Sequence, residues 1–363
     1  MMNRRMVLAL AAALTMGAPA MAEDILTTPW DDIVAQAKQE GEVVWYNWFL
    51  QPRLRELVAG FEEEYGIKVT IPDGTDAGNF EKFLADGQRP TGDIDVMSLP
   101  GDKLPKFDIA AYLMGPLDIL PGHEKLRTQI NGGDSKGYAV AYWGNQTGFA
   151  YDPTRIEEAD LPQTFEDLTA FIDANPMAFA FNDLRNGGAG KAFMQAVVRS
   201  TVAQNDVTSG NYQAAWDWFI GHRDNYGFTA SNADSLTRLN GGEFVIVAAW
   251  EDHLASLQKQ GEVDTRMKFY IPQFGMPGGG NVVGVPQNAP HKAAALLFIS
   301  WLTSAETQIM LSQEMGIAPV NADAVGQGGG SVTAEQRAYS IDWFPVPIAD
   351  PLQAEYLEKV VLQ

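Results

Sequence analysis

The sequence predicts an α/β protein of two lobes, each a mainly parallel sheet flanked by helices. Three observations carry that expectation. The chain has 363 residues, more than the ~250 over which one hydrophobic core usually extends. Its 46% hydrophobic and 20% charged residues match a packed globular chain. Its helix and strand signals alternate with short connections, the pattern of parallel sheets.

Thr28 is placed to cap a first helix with Pro29 in its opening turn. Trp30, Ile33, Val34 and Ala37 recur at the spacing of one apolar helical face. Gly41 closes this helix, and a buried strand follows at 43–48. A second helix is predicted over 52–65, with Leu54, Leu57, Val58 and Phe61 on one stripe, and Gly66 ends it before a strand at 67–71. A shorter helix with Phe80, Phe83 and Leu84 inward precedes a strand at 94–98. In such β-α-β-α-β runs ligands lie beyond the carboxyl ends of the strands. That rule singles out residues 45–48, 73–76 and 98–102.

A second set begins near residue 140. Strands are predicted at 138–142 and 147–151 around a turn made of Trp143, Gly144, Asn145 and Gln146. Thr164 caps a helix carrying Phe165, Leu168, Phe171 and Ile172, and a strand at 178–181 follows. The Gly-rich stretch from Asn182 to Gly190 feeds a helix bearing Phe193, Met194 and Val197. A short β-rich run at 244–249 ends at Trp250, where Glu251 and Asp252 open another helix. Strands at 268–271 and 281–285 and helices at 292–302 and 305–313 complete the pattern.

The composition removes several function classes. With 25 basic against 46 acidic residues the formal charge is −21, which repels nucleic acid and anionic lipid surfaces. Cysteine is absent, so disulfides, thiolate catalysis and cysteine-held metal centres are excluded. The four histidines, His123, His222, His253 and His291, form no local metal motif. At the N-terminus Arg4 and Arg5 precede an apolar run at 6–14, and Ala20, Met21 and Ala22 form a small-x-small site. This is the three-part design of a secretory signal peptide. The apolar run is shorter than the ~20 residues that span a bilayer core. With no cysteine at the mature start, a lipid anchor is not expected. Removal of residues 1–22 leaves 23 basic residues against 46 acidic, a charge of −23.

Candidate binding residues concentrate at strand ends. Trp45, Tyr46, Asn47 and Trp48 alternate between two faces, so not all of them can be core. At least one ring is expected to face a cleft, where aromatic faces suit sugars or cations. Asp73 and Ser98 lie at the neighbouring strand ends. Trp143 and Asn145 offer either a flat wall with hydrogen-bonding neighbours or a structural crossover turn. Trp250 and Glu251 repeat a ring-plus-carboxylate pattern, although acidic residues in a first helical turn also offset the helix dipole. Asn182 and Asp183 could meet a polyol or an amine, or serve an ordinary loop. Catalysis has little support: there is no nucleophile elbow, zinc motif or dinucleotide fingerprint. The competing reading is an exported hydrolase using a carboxylate pair.

The order of these segments resembles the periplasmic solute-binding proteins of bacterial ABC importers, in the extracellular family 1 group that includes polyamine, thiamine and iron(III) binders. The likeness is carried by Val43 to Trp48 with Phe61 to Val69, then Asp93 to Val96, Tyr142 to Asp152 and Leu161 to Leu168. Pro286 to Gln308 completes it. Phe165 stands where the family usually has Trp.

The resemblance implies a type II periplasmic-binding-protein fold: two lobes joined by a hinge, with the solute trapped between them. Residues 1–22 would be the signal peptide, 23–145 the first part of lobe one and 146–281 lobe two. Residues 282–363 would return to lobe one and add a C-terminal helical tail. It further implies a periplasmic monomer that delivers its solute to an inner-membrane permease and ATPase, without enzymatic activity or cofactor. Tyr46, Asn47 and Trp48 resemble the Y-N-W start of polyamine binders. Iron binders of the group carry adjacent tyrosines, and this chain has none, so no metal is expected. A sugar, sugar alcohol or polyamine-like solute is the expected cargo, and a strong anion the least expected.

Cleavage after Ala22 puts Glu23 at the mature N-terminus. Intact-mass analysis of the exported protein should find that species, and retention of Arg4 and Arg5 would refute the cleavage.

Overall fold

The computed structural model describes residues 25–130, 133–186, 188–327 and 332–362. The predicted signal peptide lies outside the described residues. In chain order the strands are β1 (Glu42–Tyr46), β2 (Lys68–Thr70), β3 (Val96–Pro100), β4 (Gln129–Ile130), β5 (Gly133–Asp134) and β6 (Val140–Tyr151). They continue with β7 (Phe179–Asn182), β8 (Tyr226–Thr229), β9 (Ile246–Trp250), β10 (Lys268–Tyr270), β11 (Met276–Gly284) and β12 (Ser340–Ile341). One path runs β2-β1-β3-β11-β6-β9-β7-β8, with β10 on β6 and β12 on β11.

The first lobe is the β-α-β-α-β unit that the sequence pattern predicts. β1 pairs in parallel with β2 and β3, and β11 joins antiparallel to β3. Period-2 alternation divides the side chains between the two faces of this sheet. Val43, Trp45, Val96, Val140, Tyr142 and Val283 pack on one side with the helices Trp30–Glu40, Lys292–Thr303 and Ala305–Met315. Met97, Leu99, Ala141 and Val282 pack on the other with Phe80 and Phe83 of the helix Asp76–Asp86. The second lobe sets β7 parallel to both β8 and β9. Its core holds Phe149, Phe179, Phe181, Phe193, Trp216 and Phe219.

Local signals explain most boundaries. Gly41, at φ 73°, closes the first helix, but its N-terminal flank is Pro29 and no Thr28 cap bond forms. The single helix expected over 52–65 is two, Gln51–Leu57 and Ala59–Tyr65. Gly60, a weak helix former, lies just past the break. Thr164 and Asp167 make a reciprocal capping box on the helix Phe165–Ala174.

The turn expected at 143–146 does not exist. β6 is one continuous strand of 12 residues. Val140–Gln146 pairs with β11 in the first lobe, and Thr147–Tyr151 pairs with β9 and β10 in the second. A bulge in this pairing sets Trp143 opposite Asn281 and Ala141 opposite Val282. Tyr142 is the extra residue, and it shares one core with Trp143 instead of alternating with it.

The C-terminal segment also departs from expectation. Val332, Phe344, Leu352, Tyr356 and Val360 belong to the core of the second lobe, not the first. β12 pairs in parallel with Met276 and Pro277, the end of β11 next to that lobe. The helix Val346–Tyr356 then packs beside Trp216, whose indole Nε1 donates to Glu355 at 2.9 Å.

Gly280 sits at the hinge with φ +147°, and a Cβ there would lie 1.8 Å from the Trp143 carbonyl oxygen. Gly280→Ala should therefore cost about 2–4 kcal/mol, read by urea unfolding. Gly241→Ala, whose Cβ would meet nothing nearer than 3.5 Å, should be neutral or slightly stabilising. Equal effects from the two would refute the strain argument.

Candidate functional site

A cavity of about 360 Å³ opens beyond the carboxyl ends of β1 and β3, where the topology of a parallel sheet puts a ligand. The first lobe supplies Trp48, Phe49, Asp76 and Asp102, and the hinge strands supply Trp143, Asn145 and Asn281. The second lobe adds Lys191, Gln195, Trp250, Asp252 and His253. Trp343, Phe344, Asp350 and Gln353 come from the C-terminal segment. Asn145 also borders a larger cavity of about 800 Å³.

Each wall is held from behind. Thr75 caps the helix that begins at Asp76, accepting from the Gly78 N–H at 3.1 Å, and Lys103 pairs with Asp76 at 3.0 Å. Phe49 packs edge-on against both Trp48 and Trp143, with ring centroids 5.1 and 4.9 Å apart. Trp143 Nε1 donates to Asp252 Oδ2 at 3.0 Å, which ties the hinge strand to the first turn of the helix Glu251–Lys259. The other oxygen of Asp252 accepts from the His253 N–H. Trp250 stacks on Trp343 at 6.1 Å with 23° between the planes. Gly188 leaves room for Trp250, since a Cβ there would come within 2.6 Å of the indole.

The C-terminal segment is pinned to the second lobe. The Phe344 N–H donates to Gln195 Oε1 at 2.8 Å, and Arg199 donates to the Asp342 carbonyl at 2.8 Å. The Arg199 guanidinium lies 4.0 Å from the centre of the Phe344 ring. Arg337 meets Glu251 with both oxygens, at 2.9 and 3.0 Å. Glu251 is only 2% exposed. Burial pushes its carboxyl up to about 7, against the opposing pull of Arg337.

Of the residues expected at a site, Trp48, Trp143, Asn145 and Trp250 line the cavity. The others do not. Trp45 is fully buried in the first-lobe core, and its indole Nε1 donates to Ser98 Oγ at 2.8 Å, so both are structural. Tyr46 packs on the opposite face of the sheet, 6.0 Å from Lys82 Nζ. Asn47 is a buried knot: its Nδ2 donates to Tyr142 Oη at 2.9 Å and its Oδ1 accepts from the Phe49 N–H. Asp73 is exposed and paired with Arg55 at 2.6 Å. Asn182 Oδ1 accepts from the Gly190 N–H at 2.8 Å, and Asp183 pairs with Arg185. Glu251 points at Arg337 instead of the cavity.

Phe49, Lys191 and the whole C-terminal wall line the cavity without a signal in the sequence, whereas Asp252 is the second carboxylate of the pattern formed by Trp250, Glu251 and Asp252. Asp76 and Asp102 lie in the strand-end stretches that the topology rule selected. Among the described residues, no group of three or more histidine, aspartate or glutamate side chains is arranged to hold a metal ion.

Comparison with family profiles matches residues 56–335 to the bacterial extracellular solute-binding proteins. The chain belongs to that family. This solute-binding protein is 23% identical over 284 residues to the Fe(3+)-binding periplasmic protein of Serratia marcescens, covering 76% of this chain and 77% of its relative. Among solved structures, an extracellular solute-binding protein from Bordetella parapertussis superposes with a TM-score of 0.69 at 18% identity, covering 88% of this chain and 98% of the other. A spermidine/putrescine ABC transporter substrate-binding protein from Streptococcus pneumoniae gives 0.67 at 15% identity, with 88% and 98% covered. The fold is that of the type II periplasmic binding proteins. The solute-binding protein is thus the extracytoplasmic component of an ABC transporter, a class that works with a permease and an ATPase.

The raised Glu251 carboxyl has a definite pH signature. Its folded value of about 7 exceeds its ordinary 4.5. Its contribution is therefore complete below pH 4.5 and is lost as pH rises through 7, a change of about 3 kcal/mol. Glu251→Gln should shrink the stability difference between pH 4.5 and pH 8 by that amount in urea unfolding. An unchanged difference would refute the assignment.

Proposed function

We propose that this solute-binding protein captures a small organic solute carrying positive charge and passes it, chemically unchanged, to its permease. The observation that carries this reading is the cavity lining: six aromatic rings and four carboxylates, Asp76 and Asp102 paired with Lys103 and Lys106 behind the wall, and Asp252 and Asp350 set against the lining cation Lys191. Aromatic faces attract cations by about 0.5–2 kcal/mol per contact, more when desolvated. Carboxylates compound that attraction, and an anion entering the same space would meet net repulsion. The polyamine name of one structural neighbour is consistent with such a cargo.

The working cycle follows from where the walls originate. Both lobes and the hinge strands contribute, so a bound solute makes its full set of contacts only when the lobes approach. That differential contact is what favours closure. We further infer that the exported protein is a monomer without a lipid anchor, free to carry solute from the outer face of the periplasm to the permease.

The test is a thermal-shift and calorimetric panel of mature protein against glucosamine, ethanolamine, putrescine, spermidine, maltose, sorbitol and citrate. At least one of the amines should raise Tm and bind saturably, with no turnover. Asp252→Asn keeps an acceptor for Trp143 but removes the charge, and should weaken amine binding about 10- to 100-fold. Binding of maltose or sorbitol with none by any amine would overturn the reading.

A further inference from the structure

Buried indole N–H groups in this protein find acceptors. Trp45 donates to Ser98, Trp143 to Asp252, Trp216 to Glu355 and Trp218 to Thr169, all between 2.8 and 3.0 Å. Trp343 breaks the pattern: its Nε1 is buried with no hydrogen-bond partner among the described residues. Asn145 Oδ1 is an orphan of the opposite kind, a buried acceptor without a donor. Both residues line the cavity. The remaining buried orphans, on Ser312 and Tyr356, belong to residues outside its lining.

An unmet buried polar group costs about 1–3 kcal/mol. Ordinarily a side chain rotates or a neighbour substitutes to remove the cost, but these two residues sit on fixed frames. Trp343 is stacked on Trp250, and the chain on either side is held by the bonds from Arg199 to Asp342 and from Phe344 to Gln195. The Asn145 backbone is locked in β6 opposite Gly279 of β11. An unmet donor and an unmet acceptor therefore belong to residues on two walls of the cavity, beside carboxylates able to take a cation.

That combination discriminates between classes of amine. A fully protonated polyamine presents only N–H donors. It can answer Asn145 and the carboxylates, but it leaves the Trp343 N–H unmet. A solute with an oxygen acceptor as well as a cationic nitrogen answers all of them. We propose that Trp343 and Asn145 are the specificity-determining pair and that the solute is a hydroxylated amine, an amino sugar or amino alcohol, in preference to a polyamine. This inference rests on the cavity being the cation site proposed above.

Isothermal titration of the mature protein with glucosamine, ethanolamine, putrescine and spermidine tests it. Glucosamine or ethanolamine should bind at least tenfold more tightly than either polyamine. Trp343→Phe keeps a ring against Trp250 while deleting the donor. It should weaken the preferred hydroxylated amine about tenfold and leave any polyamine binding unchanged. A polyamine that binds as tightly as the hydroxylated amines, or a Trp343→Phe protein with wild-type affinity for them, overturns the pair while leaving the cation reading standing. Failure of all four amines overturns both. The wild-type comparison decides between amine classes even if the variant does not fold.

Discussion

Everything in this molecule depends on β6 satisfying two sheets at once. Its first seven residues are hydrogen-bonded to β11 in one lobe and its last five to β9 and β10 in the other, so the chain crosses between lobes without leaving a strand. A buried crossing in irregular chain would leave backbone donors and acceptors unmet. The pairing with β11 leaves no room for side chains at two glycines: a Cβ at Gly280 would fall 1.8 Å from the Trp143 carbonyl oxygen, and one at Gly278 would fall 2.1 Å from Gln146 Oε1. The bulge at Tyr142 then re-aims the strand, so that Trp143 reaches Asp252 across the gap between lobes. Backbone economy and cavity geometry are the same feature.

From that crossing the chemistry of the cavity follows in layers. Rings supply broad, weakly directional attraction, and the acidic residues set the sign of the charge that is welcome. The few directional groups sit where the backbone is least able to move. Trp143 spends its N–H on Asp252 and so fixes a carboxylate; Trp343 keeps its own unspent. Glu251 and Asp252, adjacent in sequence, divide their labour. One turns away to hold Arg337 and the C-terminal segment, while the other faces the cavity.

Much of this was legible in the sequence, for reasons that are themselves physical. Apolar periodicity and the closing glycines at 41 and 66 gave the first lobe nearly strand for strand. The rule of carboxyl ends found the right stretches, yet within them Trp45, Asp73 and Ser98 were the wrong residues. Local alternation says that neighbours face opposite ways but not which face is core, and that depends on the distant helix Lys292–Thr303 packing over Trp45 through Phe298. The turn that Gly144 and Asn145 suggest is instead continuous strand, because both residues pair with a strand more than 130 residues away in sequence. The C-terminal wall had no local signal: Trp343 precedes, and Asp350 lies within, a helix carrying Pro347 and Pro351, whose place is set by β12 and the Arg337 pair.

The anchoring of that C-terminal wall has a thermodynamic consequence. Phe344, Leu352, Tyr356 and Val360 are members of the second-lobe core, so the surface they carry is already ordered before any solute arrives. Association normally loses affinity to the freezing of side chains and loops. Here that side of the recess has met the entropy cost during folding. A wall ordered in advance leaves more of each contact with the solute to appear as affinity.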